Sequence, residues 1–189
     1  MGSKLNILST EIKDLYIIEP NTFTDERGSF TRLYCQQELE TITNITIKQI
    51  NHSLTKEKGT VRGMHFQYEP NAEVKMLKCI KGAVFDVVVD IRKDSPTFLK
   101  TYSVELTQEN QKMIFIPKGF AHGFQTLEDD THLLYFHSEV YIPSNEGAVN
   151  VSDPLLNIQW PLDIKNLSKR DQEHTFLDEN FQGIEINAV

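Results

Sequence analysis

Punctuation constrains this chain more than any other feature. Short stretches rich in Val, Ile, Phe and Tyr follow one another closely, each ended by a turn signal. They are LYIIEPNTF (15–23), ITIKQINHSL (45–54), TVRGMHFQY (60–68), VKMLKCI (74–80), AVFDVVVDI (83–91), YSVELT (102–107), KMIFIPKGF (112–120), HLLYFHSEVYI (132–142) and AVNVSDP (148–154). β-Branched and aromatic residues suit a pleated, half-buried surface, so each reads as a strand. Lys81-Gly82 reads as a hairpin turn. Only CQQELETI (35–42) and LSKRDQEHTFLDEN (167–180) read as helical. Strands this dense leave no room for βαβ crossovers, so an all-β antiparallel barrel or sandwich is expected. A length of 189 residues fits one domain, 1–189, with 1–11 an N-terminal extension or arm and 165–189 a C-terminal helical segment and tail.

The net charge is −8, which argues against nucleic acid or an anionic membrane as the main partner. No apolar run approaches the roughly 20 residues of a membrane span. The first residues lack a basic segment followed by an apolar core, so no secretory leader is expected. Cys35 and Cys79 lie far apart in apolar contexts and read as free thiols of a reducing compartment, with a cytoplasmic location expected. Against this acidic background, Arg27, Arg62 and Lys75 stand out as local cations for a small anionic ligand.

Two strands carry conflicting patterns. In TVRGMHFQ, alternation puts Arg62, Met64 and Phe66 on one face and Val61, Gly63, His65 and Gln67 on the other. Each face then holds a group that is costly to bury alone. In AVFDVVVDI, Phe85, Val87, Val89 and Ile91 share a face, while Val84 and Val88 stand beside Asp86 and Asp90. That mixed face suits either a partly polar barrel interior or an exposed edge.

His65, Gln67, Glu73 and His122 stand where a metal-binding cupin carries its H-x-H, Glu and later His ligands. Gln67 is a poor ligand in the second of these positions, so a cupin-like barrel without a metal is expected. His65, His122, Lys75 and Tyr135 lie on separate strands that a barrel mouth can bring together. Imidazole is the default base near neutral pH, an ammonium stabilises a developing enolate, and a phenol returns a proton. Each residue also has a plainer reading: a structural histidine, a solvated lysine, a core tyrosine.

Several blocks in order carry a resemblance: DERGSF (25–30), QINHS (49–53), VRGMHFQ (61–67), Lys75 followed by GAVFDVVVDIRKDSPTF (82–98), IPKGFAHGF (116–124), Tyr135 with Tyr141-x-Pro143, and DPLLNIQWP (153–161). Over about residues 12–172 the chain resembles the dTDP-4-dehydrorhamnose 3,5-epimerase family of nucleotide-sugar epimerases. The resemblance implies a cupin-type jelly-roll barrel, a homodimer, no metal and no organic cofactor. The implied substrate is a nucleoside-diphosphate 4-keto-6-deoxy sugar. It also implies His65 as base, Asp171 as its orienting carboxylate, Lys75 as enolate stabiliser, Tyr135 as proton donor and His122 as a second active-site histidine. Arg27 and Arg62 match diphosphate contacts, and guanidinium forks suit phosphate oxygens. Phe30, Gln49, Asn51 and Tyr141 match positions around nucleoside and sugar. Arg27 and Phe30 would act in trans where the partner's N-terminal region completes the site. For TVRGMHFQ, the resemblance turns Arg62 to diphosphate and His65 to sugar, and a bulge at Gly63 is expected to unite them. Asp171 also closes a capping box, Ser168-Lys169-Arg170-Asp171.

The chain departs from the family pattern in places. Arg32 stands where many relatives carry an acid near thymine, a change from acceptor to donor. Phe136-His137 replaces the lysine common after the tyrosine. Val74 and Val151 replace a glycine and a tryptophan. These departures keep open an epimerase acting at C3 or C5 alone, on a dTDP-, CDP- or GDP-linked sugar. A metal-dependent cupin and a non-catalytic binding barrel are the other readings.

Overall fold

The computed structural model describes residues 3–187. Its strands are β1 (Leu5–Ser9), β2 (Tyr16–Pro20), β3 (Thr22–Asp25), β4 (Gly28–Thr31), β5 (Gln49–Thr55), β6 (Val61–Gln67), β7 (Lys75–Lys81), β8 (Ala83–Asp90), β9 (Thr101–Thr107), β10 (Met113–Ile116), β11 (Phe120–Thr126), β12 (Thr131–His137) and β13 (Glu146–Ala148). Two short helices, α1 (Gln36–Leu39) and α2 (Lys169–Gln172), complete the list. A six-stranded sheet in the order β1-β2-β10-β7-β12-β5 faces a five-stranded sheet in the order β13-β6-β11-β8-β9. Every pairing between these strands is antiparallel, giving the expected all-β jelly-roll architecture. β3 and β4 form a separate two-stranded hairpin.

Alternation sorts the side chains into three layers. Leu77, Cys79, Val84, Val88, Leu106, Ile114, Phe124 and Leu133 pack between the sheets. Leu5, Ile18, Met76, Met113, Phe115 and Phe136 point outward from the larger sheet, and Leu39 of α1 closes over them. Val61, Met64, Val87, Val89 and Ile91 point outward from the smaller sheet. Val149, Val151, Leu156, Trp160, Leu177 and Ile184 of the C-terminal chain cover them. The central strands of both sheets are thus covered on both faces along much of their length, which explains their near-continuous apolar runs.

The N-terminal residues expected as an arm instead contribute β1, which pairs with β2 along its whole length. The stretch 167–180, expected to be helical, contains only the four residues of α2. A longer helix would gather Leu167, Leu177 and Phe181 into one stripe. The segment instead spreads them over the sheet in extended chain. AVNVSDP contributes only Ala148 to a strand, and its valines act as a lid on the outer core.

The bulge expected in β6 is present. His122 pairs with His65 and Phe124 with Arg62, so two steps along β11 oppose three along β6. The extra residue returns Arg62 and His65 to one face. Gly63 has φ +145°, and a Cβ there would lie 2.5 Å from Gly123 Cα. Both the dihedral and the space demand glycine. Gly63→Ala is therefore expected to cost about 3 kcal/mol of stability. An unchanged urea-unfolding midpoint would contradict this close approach.

Candidate active site

Along three strands, the inner layer changes from apolar to polar in the same direction. β12 runs Leu133, Tyr135, His137; β7 runs Cys79, Leu77, Lys75; β11 runs Phe124, His122. Antiparallel register sets these polar ends side by side, with His137 opposite both Lys75 and Gln49, and Tyr135 opposite Asn51. The result is a cavity of about 380 Å³, lined by Gln49, Asn51, Arg62, His65, Lys75, His122, Tyr135, Tyr141 and Asp171 together with Glu73, His137, Glu146 and Arg170.

His65 Nε2 lies 2.9 Å from Asp171 Oδ1. Burial pushes the Asp171 carboxyl up, but the hydrogen bond and charge of His65, with help from Ser168 and Arg170, outweigh it and hold it at about 2. The carboxylate is therefore ionised and can only accept, so the imidazole donates from Nε2 and keeps its lone pair on Nδ1. Asp171 also has the second role that the sequence allowed. Ser168 caps α2 by accepting from the Asp171 backbone N–H at 3.0 Å. The cap and the dyad coexist in one residue. Arg170, also on α2, reaches Glu146 at 2.8 Å and Asp171 Oδ1 at 3.4 Å.

A second imidazole–carboxylate pair lies deeper. His122 Nε2 is 2.9 Å from Asp86 Oδ2. Asp86 is fully buried, its Oδ1 has no partner among the described residues, and burial pushes its carboxyl up against the opposing pull of His122. The Tyr135 phenol is raised to about 12, chiefly by burial. It therefore carries its proton at neutral pH, with the Ser53 hydroxyl 3.4 Å away. Lys75 Nζ sits 3.2 Å from Glu73 Oε1. Arg62 touches only Thr55 Oγ1, at 3.5 Å, and has no carboxylate partner among the described residues. An unneutralised guanidinium at a cavity wall is a phosphate site in waiting.

Three of the anticipated residues lie outside their own chain's cavity. Arg27 stands at the exposed turn of the β3–β4 hairpin and pairs with Asp25. Phe30 is 72% exposed. Arg32 pairs with Glu38 rather than with anything in the cavity. The two acids of β8 also separate. Asp86 lies buried behind the cavity wall against His122, whereas Asp90 is bound at the strand end by Arg92, Ser95 and Thr97. The cupin-like ligand positions have other work. Gln67 accepts from Ile142 N and donates to Asn71 and Val140 carbonyls, and Glu73 bridges Lys75 and His137. Among the described residues, His65, Asp171 and His174 have donor atoms within 4.8 Å of one another. The guanidinium of Arg170 lies beside that set, 3.1 Å from His65 Nε2, and opposes a cation there. Glu146, Arg170 and the Glu73–His137 pair escaped the sequence reading. The one available signal was Arg170 adjoining Asp171.

The comparisons agree with this geometry. A family model described as dTDP-4-dehydrorhamnose 3,5-epimerase matches residues 9–179. The enzyme of that name from Salmonella typhimurium is 43% identical over 176 residues, covering 92% of this chain and 96% of the relative. The crystal structure of the Bacillus anthracis enzyme, with TDP and PPi bound, superposes with a TM-score of 0.89 at 38% identity, covering 92% of this chain and 99% of that one. The Legionella pneumophila dTDP-6-deoxy-D-glucose-3,5-epimerase, in complex with dTDP-4-keto-L-rhamnose, also gives 0.89 at 36% identity, with 97% and 100% covered. By its sequence blocks, its barrel and the residues gathered in its mouth, the chain belongs to the dTDP-4-dehydrorhamnose 3,5-epimerase family.

Proposed function

We propose that this protein inverts C3 and C5 of a dTDP-4-keto-6-deoxyhexose, in the biosynthesis of a deoxysugar destined for polysaccharide. The observation that carries the reading is an acid–base pair split between facing sheets. His65, paired with Asp171 of α2, stands on the five-stranded sheet and the protonated Tyr135 on the six-stranded one, and all three line a single cavity. The C4 ketone acidifies the neighbouring C–H bonds. His65 Nδ1 takes the proton from C3 or C5, and the C–H electrons move into the ring to make an enolate. Asp171 stabilises the imidazolium that forms. Lys75 donates a hydrogen bond to the enolate oxygen. Tyr135 then delivers its proton to the opposite face of the same carbon and regains one from solvent, while the His65 imidazolium gives up to solvent the proton it took, which resets the pair for the next inversion. His122, paired with Asp86, lines the sugar side. Arg62 binds diphosphate, and Gln49, Asn51 and Tyr141 surround the sugar and nucleoside. A thymidine nucleotide is supported by the relatives' bound ligands.

The functional unit in this reading is a homodimer in the cytoplasm, where two free thiols are stable. Phe23 and Phe30 face each other across the β3–β4 hairpin and are 49% and 72% exposed. An isolated two-stranded hairpin is marginal in water, and an uncovered aromatic pair suits a partner surface. Crossing to the partner would carry Arg27 to its diphosphate site and Phe30 and Arg32 to its nucleoside site. No helix in the described residues is long and apolar enough to cross a membrane.

Incubation with dTDP-4-keto-6-deoxyglucose in heavy water should place deuterium at both C3 and C5. Label at one carbon only would favour a single-position epimerase. His65→Ala and Tyr135→Phe should each lose about 10²–10⁴ in kcat, while dTDP affinity is retained. Near-normal rates in both variants would remove the assigned roles. Mixing inactive Arg27→Ala and His65→Ala proteins should restore activity through hybrid dimers carrying one intact site. No recovery after subunit exchange would refute action in trans. The Asp171 carboxyl, at about 2 when folded, lies below its unfolded value of about 3.9. The linked stability is complete above that upper value and is lost as pH falls through the lower one. Asp171→Asn should therefore flatten the stability loss between about pH 4 and pH 2. An identical acid slope in parent and variant would argue against the pairing.

A further inference from the structure

The cavity wall holds one imidazole that the reaction above leaves without a role. β12 places His137 opposite Lys75 on β7. Between their tips lies the Glu73 carboxylate, buried, with one oxygen for each neighbour: Oε1 is 3.2 Å from Lys75 Nζ and Oε2 is 2.7 Å from His137 Nδ1. On its other edge, His137 Nε2 meets Asn51 Nδ2 at 3.4 Å. An amide nitrogen only donates, so Nε2 accepts and Nδ1 carries the proton that Glu73 receives. The same ring lies nearly parallel to Tyr135, with centroids 5.9 Å apart and planes 13° apart. One side chain therefore touches the phenol directly and the ammonium through a single carboxylate.

We propose that His137 is a positioning residue for this epimerisation, fixing Glu73 so that the Lys75 ammonium keeps a free N–H aimed at the enolate oxygen. The inference rests on the function proposed above. Lys75 has three N–H donors. Glu73 Oε1 takes one, the His65 carbonyl at 3.5 Å is within reach of a second, and the third remains for substrate. The count depends on His137. A buried carboxylate oxygen with no donor is costly. Without the Nδ1–H, Glu73 would turn both oxygens to Lys75 and draw the ammonium away from the sugar, or take up a proton and release it. Either movement misplaces the group that stabilises the enolate. The stacked ring limits the swing of Tyr135 at the same time.

Two substitutions separate the donor from the ring. His137→Phe keeps the stacked surface and removes the donor, whereas His137→Asn keeps an N–H near the Nδ1 position and removes the ring. In steady-state assays with dTDP-4-keto-6-deoxyglucose, the Phe protein should lose roughly tenfold or more in kcat with KM changed less than about threefold, and the Asn protein should recover most of that loss. A Phe protein as fast as the parent, or an Asn protein as slow as the Phe protein, overturns the proposal. Nitrogen-edited NMR of the unsubstituted protein gives a measurement independent of turnover and of how well the variants fold. His137 should appear as the Nδ1–H tautomer, and an Nε2–H tautomer overturns the proposal. If the parent exchanges no deuterium into any 4-keto sugar nucleotide, the epimerase reading falls and this inference falls with it. If the parent turns over and the Phe protein matches it, only this inference falls.

Discussion

The site depends on the close passage of two glycine backbones. Gly63 and Gly123 meet where neither strand could carry a side chain, and the inserted residue at that point reverses the parity of β6. Without it, a regular strand would point either Arg62 or His65 into the outer apolar core among Val61, Met64 and Val149. A cation or imidazole there would have no partner and would cost several kcal/mol. The bulge is therefore the step that lets one strand present both Arg62 and His65 to the cavity.

Charge in the barrel mouth is handled by pairing at short range. His65 has Asp171, His122 has Asp86, and Lys75 shares Glu73 with His137. Burial pushes each of these carboxyls up. Asp171 and Glu73 are held ionised by their neighbours, while burial of Asp86 prevails over the pull of His122. Arg62 stands apart as the guanidinium without such a partner. A net acidic protein thus presents a local positive site to an anionic ligand, with the excess set by one unpaired residue rather than by overall charge.

Much of this was legible in the chain itself. Strand density and turn signals predict the antiparallel β architecture, and the parity conflict in TVRGMHFQ, taken with the family resemblance, marks the bulge. The two acids set among valines in AVFDVVVDI leave a polar interior and an exposed edge both open, and neither acid is exposed: Asp86 backs His122, and Asp90 at the strand end is bound by the following turn. Three things were hidden. β1 is only five residues long and lacks a clean polar–apolar alternation, so it reads as an arm until its partner β2 is known. The C-terminal tail has helical composition, but an apolar sheet surface spreads it out. The Glu73–His137 link joins residues on opposite flanks of a strand pair, and only register brings them together. Phe30 and Arg32 were recognised through resemblance alone and Arg27 otherwise only as a local cation, and nothing among the described residues of a single chain brings them to the cavity.

Asp171 has one further implication. Its carboxylate is aimed by a four-residue helix in an otherwise irregular tail, not by the barrel. Elements with so few internal bonds open far more often than a sheet core. The orientation of His65 is therefore tethered to a short element outside the two sheets. Sequence drift in that tail can retune the proton chemistry while leaving every strand untouched, a division of labour between a rigid vessel and an adjustable trigger.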